Sequence, residues 1–293
     1  TSLEDIIEVL PAPDFPTGGV IVGAKTLKDT YALGNGSVKL RGRYHTEVDK
    51  NKLLIVFDEI PYGAEKPKMV EKIQSIIENK QLHGLLAVAD ESGKDGLRFV
   101  LTCRKDVDPK VITSYLFKTT DLQKSIKMNM LMIANGKPRQ LGVIAILNYF
   151  NQFRRSTIIR ELNYDLKVDK ANLHLYEGFL KMTDHIDEII QMIKESNSKS
   201  ESRDKLMSTL DFSELQANKI LELQLHRISS ADKDEFQAKF DAAEKSIKTL
   251  ERVLSNDKLI SKLMIKQYKE LITKYGNARK TSIEYEEEEV TIE

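Results

Sequence analysis

The sequence has no tryptophan and a single cysteine, Cys103, so neither an internal disulfide nor a multi-cysteine metal site can staple it. It reads as an intracellular chain. It has no excess charge of either sign, with 45 Lys and Arg against 45 Asp and Glu. A global positive field for nucleic acid is excluded, and any such contact has to come from a local basic patch. No apolar run approaches the roughly 20 residues of a membrane helix, which argues against a membrane partner. Thr1-Ser2 passes straight into Leu3-Glu4-Asp5-Ile6-Ile7 with no signal-peptide layout. With no initiator Met either, the chain reads as an excised piece of a larger protein. What is present is 293 residues, 41% hydrophobic and 31% charged, enough for two domains that each bury a core.

Turn residues divide the chain. Pro and Gly are dense in the first half and almost absent between Gln140 and Tyr275, which sets a boundary near residue 150. Pro11-Ala12-Pro13-Asp14-Phe15-Pro16 cannot be helix interior, because each proline removes a backbone donor and restricts the residue before it. The segment is an extended lead-in to a strand at Val20-Ile21-Val22. Thr26 is placed to cap a short helix through Leu33, which Gly34-Asn35-Gly36 ends. A strand follows from Ser37 to Val48, and another at Lys52–Phe57 stops at Ile60-Pro61-Tyr62-Gly63. Met69, Val70, Ile73, Ile76 and Ile77 form one apolar helical stripe, and two strands, Gly84–Ala89 and Leu97–Cys103, complete an α+β sheet layer.

From Tyr149 the apolar period becomes seven. Ile159, Leu162, Leu166, Asp169, Leu173, Tyr176 and Leu180 make one seam with an acidic break. Phe236, Phe240, Ala243, Ile247, Leu250 and Leu254 make a second. Roughly 55 residues separate them, so the economical reading is a long antiparallel coiled coil with a small helical knob at its tip. Each arm is on the order of 45 Å long if about 30 residues are helical. Ser196–Ser202 reads as a flexible loop inside the knob, and Glu284 with Glu286–Glu289 as an acidic strand or tail.

No catalytic set assembles. His45, His83, His174, His185 and His226 never recur at the four-residue spacing of a helical metal pair. In a single strand, Lys39, Arg41 and Arg43 would point one way at roughly 6.5 Å intervals, close to the phosphate interval of a duplex strand. An ordinary solvated strand face is the other reading. Arg154 and Arg155, with Arg160, open the first long helix as a second basic cluster, or as plain flank charges. The wide stripe of Leu215, Ile220, Leu223, Gln224, Leu225 and Ile228 exceeds what a small knob can bury alone, which points to a partner surface. Gln216, Gln224 and Arg227 would form its polar edge, and a symmetric dimer would pair the patch with its own copy.

Several motifs coincide in order: Pro13-Asp14-Phe15-Pro16-Thr17-Gly18-Gly19, Gly34-Asn35-Gly36-Ser37-Val38, Glu59-Ile60-Pro61-Tyr62, Asp90-Glu91-Ser92, and Tyr115-Leu116-Phe117 with Thr120-Asp121-Leu122-Gln123. Asn129-Met130, Pro138-Arg139-Gln140, Arg154-Arg155 and Leu223-Gln224-Leu225-His226-Arg227-Ile228 continue the series. Together they resemble the A subunit of bacterial type IIA DNA topoisomerases over essentially the whole chain, with wording closer to topoisomerase IV than to gyrase. The resemblance implies a sheet-containing tower domain at 1–148 that supports duplex DNA, and a coiled coil at 149–275 with a dimeric exit-gate knob at about 181–232. It also implies an acidic strand or tail at 276–293 returning towards the tower. The implied partners are a second copy of the chain in a homodimer, duplex DNA and a B subunit, with Mg²⁺ and ATP supplied through the last of these. The implied location is bacterial, cytoplasmic and nucleoid-associated. The family's nucleophilic tyrosine would precede Thr1. None of Tyr31, Tyr44, Tyr62 or Tyr115 lies in its Arg-Tyr context, so no catalytic residue is expected in this chain. The competing reading is a non-enzymatic coiled-coil dimerisation and protein-interaction module.

Overall fold

The computed structural model describes residues 2–94, 96–223 and 230–285. Its contacts divide the chain into two units, Thr1–Phe150 together with Gly276–Glu293, and Asn151–Tyr275. No helix among the described residues is long and apolar enough to cross a membrane.

The first unit opens with helix α1 (Leu3–Val9), started by a capping box in which Ser2 and Asp5 satisfy each other's backbone amides. The proline segment then leads to β1 (Val20–Val22), a short 3₁₀ turn at Ala24–Thr26, and α2 (Leu27–Leu33). Strand β2 (Asn35–Arg41) is followed at once by β3 (Arg43–Asp49), and then by β4 (Lys52–Glu59), α3 (Lys66–Glu78), β5 (Leu85–Asp90) and β6 (Phe99–Arg104). Helix α4 (Pro109–Thr119), β7 (Gln123–Asn129) and a hairpin of β8 (Leu131–Ala134) and β9 (Lys137–Gln140) complete this part of the chain.

These strands form two four-stranded sheets and the separate hairpin. The first sheet runs β10-β1-β2-β7, where β10 (Ser282–Glu284) comes from the far end of the sequence, and the second runs β3-β4-β6-β5. The strand expected from Ser37 to Val48 is therefore two strands in two sheets. Gly42 is the switch point: its amide donates to Leu122 O at 2.8 Å, and a Cβ there would sit 2.8 Å from Glu59 O. Only glycine lets the backbone pass that close.

In the second sheet Ile55, Phe57, Phe99, Leu101 and Cys103 alternate along their strands and are fully buried beneath Met69, Ile73 and Ile76 of α3 and Ile112 and Leu116 of α4. Each such side chain contributes about 1.5–3 kcal/mol by leaving water. Burial also pushes the Cys103 thiol up to about 11, so it is a packing residue. The Asp90 turn closes locally as its residue types require. Its carboxylate accepts the Ser92 amide at 3.1 Å and pairs with Lys66 at 2.9 Å, and Ser92 Oγ in turn accepts the Arg98 amide.

The first sheet is closed by the chain's return. Strand β10 pairs parallel with β1, the Asp14 carboxylate accepts the amides of Thr281 at 2.8 Å and Lys280 at 3.1 Å, and Arg279 donates to the carbonyls of Ala12 and Pro13. Thr281 is buried, and its Oγ1 accepts the Phe15 amide at 2.8 Å. The amide of Thr281 holds the Asp14 carboxyl below the usual carboxylate range. A depressed carboxyl stabilises the fold above its unfolded pKa, and that contribution is lost as pH falls through the folded value. Asp14→Ala should cost about 1 kcal/mol, the size of an exposed cap. It should also blunt the acid limb of thermal unfolding measured between pH 7 and pH 3.

The second unit is helical. Helix α5 (Val143–Asp184) carries the first seam, and α9 (Ser230–Leu254) with α10 (Asp257–Tyr275) carries the second. Within this unit α5 runs antiparallel to both, because its partners fall from Tyr268 opposite Asn151 to Lys233 opposite Asp184. Ile158 is buried, Ile159, Leu162, Leu166 and Asp169 are half-buried, and Ala243 and Ile247 face inward on α9. The acidic break is satisfied: Ser246 Oγ donates to Asp169 at 2.6 Å. The returning helix is interrupted at Ser255-Asn256, where Asn256 caps α10 through the Lys258 amide at 3.0 Å. Ser246→Ala should cost about 1–3 kcal/mol by orphaning a half-buried carboxylate, whereas Asp169→Leu with Ser246→Ala should be neutral or stabilising. Chemical denaturation of the single and double variants measures the difference.

Between the long helices lie α6 (Ile186–Lys194), α7 (Lys199–Leu210) and α8 (Glu214–Ile220). Ser196–Ser202 is not a loop throughout: Ser198 accepts the Glu201 amide at 3.1 Å and starts α7, so Ser200 and Ser202 are helical.

Candidate nucleic-acid interface and dimer face

In the first unit Lys39 and Arg41 occupy alternate positions of β2, opposite the buried Val38 and Leu40, and so share the outward face. Arg43 does not join them. It lies across Gly42 in the other sheet, paired with Asp58 at 3.2 Å and Glu59 at 2.8 Å. The reason is local, since Glu59 also accepts the Gly19 amide and so anchors both the glycine turn and the arginine. Arg41 is partly spent as well. Its guanidinium lies 5.1 Å from the centre of the Phe117 ring, and its Nε donates to Gln123 of β7.

Sequence reasoning missed Lys127. The β2–β7 register sets Lys127 opposite Ser37 and Ser125 opposite Lys39, so Lys127 falls on the same face as Lys39 and Arg41. These two strands contain no Asp or Glu. The signal was the alternation of Lys124, Ile126 and Met128 with Ser125 and Lys127, a half-buried strand pattern.

In the second unit, Arg154 donates to Gln267 at 2.8 Å and Arg155 pairs with Asp257, so both pin α5 to α10. Around the short helices Met182, Ile189, Leu206, Phe212, Ala217 and Ile220 form one buried core. Ile220 is 0% exposed, which corrects its assignment to a partner surface: the chain's own core takes the side chain. Gln216 is also turned inward, forming a capping box with Ser213 and donating from Nε2 to His174 O at 2.7 Å. Leu223 is half-buried against the same core, and Leu215 is 49% exposed. Gln224, Leu225, Arg227 and Ile228 lie outside the described residues.

Arg43 is thus a structural cation. Arg43→Ala should lower the melting temperature, and in a duplex-binding titration it should leave the slope of log affinity against log salt unchanged within about 0.5, where a lost phosphate contact changes it by about 0.9.

The profile of the DNA gyrase and topoisomerase IV A-subunit family matches residues 1–269. The gyrase A protein of Aminobacterium colombiense is 36% identical over 293 residues, covering 99% of this chain and 36% of that protein. Those of Helicobacter pylori and Streptococcus pneumoniae are 32% and 34% identical, over 99% and 96% of this chain and 35% and 34% of theirs. The chain spans about a third of the length of the curated relatives it matches. Most of each relative lies outside the matched segment, but the match runs nearly end to end along this sequence. The chain belongs to the family of A subunits of DNA gyrase and topoisomerase IV.

Proposed function

We propose that this chain is the part of a breakage-reunion subunit that supports the cleaved duplex with its α+β unit and forms, with its helical unit, the dimeric gate through which a transported duplex leaves. The observation that supports it most is the antiparallel helix pair, whose seams satisfy each other within one chain and leave the helical knob as the place for a twofold contact. An exit gate must open, so its interface is modest in area and mixed in polarity. In the complete enzyme, paired tyrosines from outside this segment would cut the duplex, and a B subunit would supply ATP-driven closure and Mg²⁺. On this reading the part played by this chain is mechanical support and gating.

Within the family, Thr120-Asp121-Leu122-Gln123 and the Leu223–Ile228 wording favour topoisomerase IV, although the relatives compared above are named as gyrase. Decatenation without supercoiling by the full-length protein with its B subunit would decide for topoisomerase IV.

The gate reading is tested at Leu223, which borders both the knob's core and the segment assigned to the partner. Leu223→Asp should give a folded monomer in analytical sedimentation, because a buried unpaired charge costs several kcal/mol, about 3–5, in an interface that cannot satisfy it. Helix content by circular dichroism should be preserved. A dimer that survives the change places the twofold contact elsewhere.

A further inference from the structure

From Leu122 to Arg160 the sequence contains no Asp or Glu, but it contains Lys124, Lys127, Lys137, Arg139, Arg154, Arg155 and Arg160. In a chain of zero net charge this is a long stretch of one sign, although Lys124 pairs with Asp121 just before it at 3.9 Å and Arg155 with the distant Asp257. Its middle is the β8–β9 hairpin. The hairpin pairs with neither sheet, and its turn is a tight Asn135-Gly136 pair with both φ angles positive, at 53° and 74°.

An isolated two-stranded hairpin is marginal in water. This one is rooted at its base, where Leu141 N donates to Met130 O at 3.1 Å, and at its turn end Ala134 is buried. Yet it exposes Leu131 by 59%, Met132 by 45% and Ile133 by 81%. The cross-strand register makes the ribbon two-faced. Leu131 pairs with Gln140 and Ile133 with Pro138 on one face, while Met132 pairs with Arg139 and Ala134 with Lys137 on the other. Lys137 has no ion-pair partner among the described residues, and Arg139 donates to the Tyr149 hydroxyl at 3.4 Å.

We propose that this hairpin is a duplex-DNA contact of the α+β unit, with Lys137 and Arg139 on phosphates and the Leu131, Ile133 and Pro138 face against a groove. The inference rests on the reading that this unit supports a duplex, and it names a site for that contact which the strand-borne Lys39 and Arg41 do not supply. The occupant follows from charge and shape together. A two-stranded ribbon fits a duplex groove, and apolar side chains flanked by cations are what groove-binding proteins place between base steps. An acidic partner would answer the cations and leave the apolar face without a use.

The test is fluorescence anisotropy of the full chain with a duplex of about 30 base pairs, titrated between about 50 and 200 mM salt. Lys137→Ala with Arg139→Ala should reduce the salt slope by about 2, so that affinity at low salt falls about tenfold or more. Ile133→Ser should weaken binding severalfold with the slope unchanged. These side chains are exposed, so the variants should melt like the parent. If the parent binds and both variants bind equally well, the hairpin proposal is overturned and the duplex-supporting reading stands. A parent that binds no duplex at any salt overturns both. Variants that change self-association in sedimentation but not DNA binding would show that a second copy of the chain covers the hairpin, which also overturns the proposal.

Discussion

The carboxylate of Asp14 accepting the amide of Thr281 is a short bond with a long reach, because it joins residues 267 apart in sequence. The first unit is assembled from both ends of the chain, and its first sheet gains its fourth strand from beyond the helical excursion from Asn151 to Tyr275. Strand β1 is three residues long and is flanked by a proline segment that makes few backbone bonds of its own. Arg279 and Thr281 supply those bonds, capping the carbonyls of Ala12 and Pro13 and the amide of Phe15. The entropy of closing so large a loop grows only slowly with its length, so a handful of well-made bonds at the closure is sufficient. The same economy explains why Glu59 serves twice, holding Gly19 from one side and Arg43 from the other.

The helical unit applies a different constraint. A seam of half-buried positions tolerates one carboxylate only where a donor stands opposite, and Ser246 is that donor for Asp169. A polar pair within an apolar seam costs stability but rewards an alignment that keeps the donor opposite the carboxylate. Lys170 with Glu251 and Asp184 with Lys233 reinforce the same register from the exposed flanks. Each exposed pair contributes little alone. Their value lies in agreeing with the buried one.

What could be read from the sequence follows the range of the interaction. The seams were legible because a 3.5-residue period is local and repeats, and the apolar stripe of α3 was legible for the same reason. In the Asp90 turn the Ser92 amide bond is as local, closing within two residues, whereas the Lys66 pair and the Arg98 bond reach further. The sheet switch at Gly42 was not legible. It is set by Leu122 O and Glu59 O, which come from elsewhere in the chain, and nothing in Lys39 to Arg43 announces them. Helix α4 carried a start signal in Asp108 and Pro109, with the Lys110 amide donating to Asp108 at 2.8 Å, but its short apolar pattern stood between stronger ones. The knob stripe was overread in one respect. Gln216 and Ile220 share the helical spacing of an outward patch, and only the positions of α6 and α7 reveal that they point into the chain's own core.

Of the candidate cations only Lys39 and Arg41 share one strand face, for a reason of chemistry as well as of topology. A guanidinium is a planar fork with five donors and is weakly hydrated, so a folded chain readily spends it on internal acceptors. Here Arg43 takes Asp58 and Glu59, Arg98 takes Glu47 and Glu91, Arg155 takes Asp257, and Arg279 takes two carbonyls. The fork of Arg98 on Glu47, at 2.7 and 2.9 Å, draws that carboxyl down to about 2. An arginine so engaged offers a phosphate little, because a new contact has to break an existing one. An ammonium is a strongly hydrated point charge on a flexible stem, and Lys127 and Lys137 remain without carboxylate partners among the described residues. A chain with equal numbers of both signs can still present a local positive field where its cations stand in a stretch without acids. On the duplex-supporting reading, the cations to test first against a polyanion are therefore those standing in acid-free sequence, and a cluster of arginines is better read first as part of the fold.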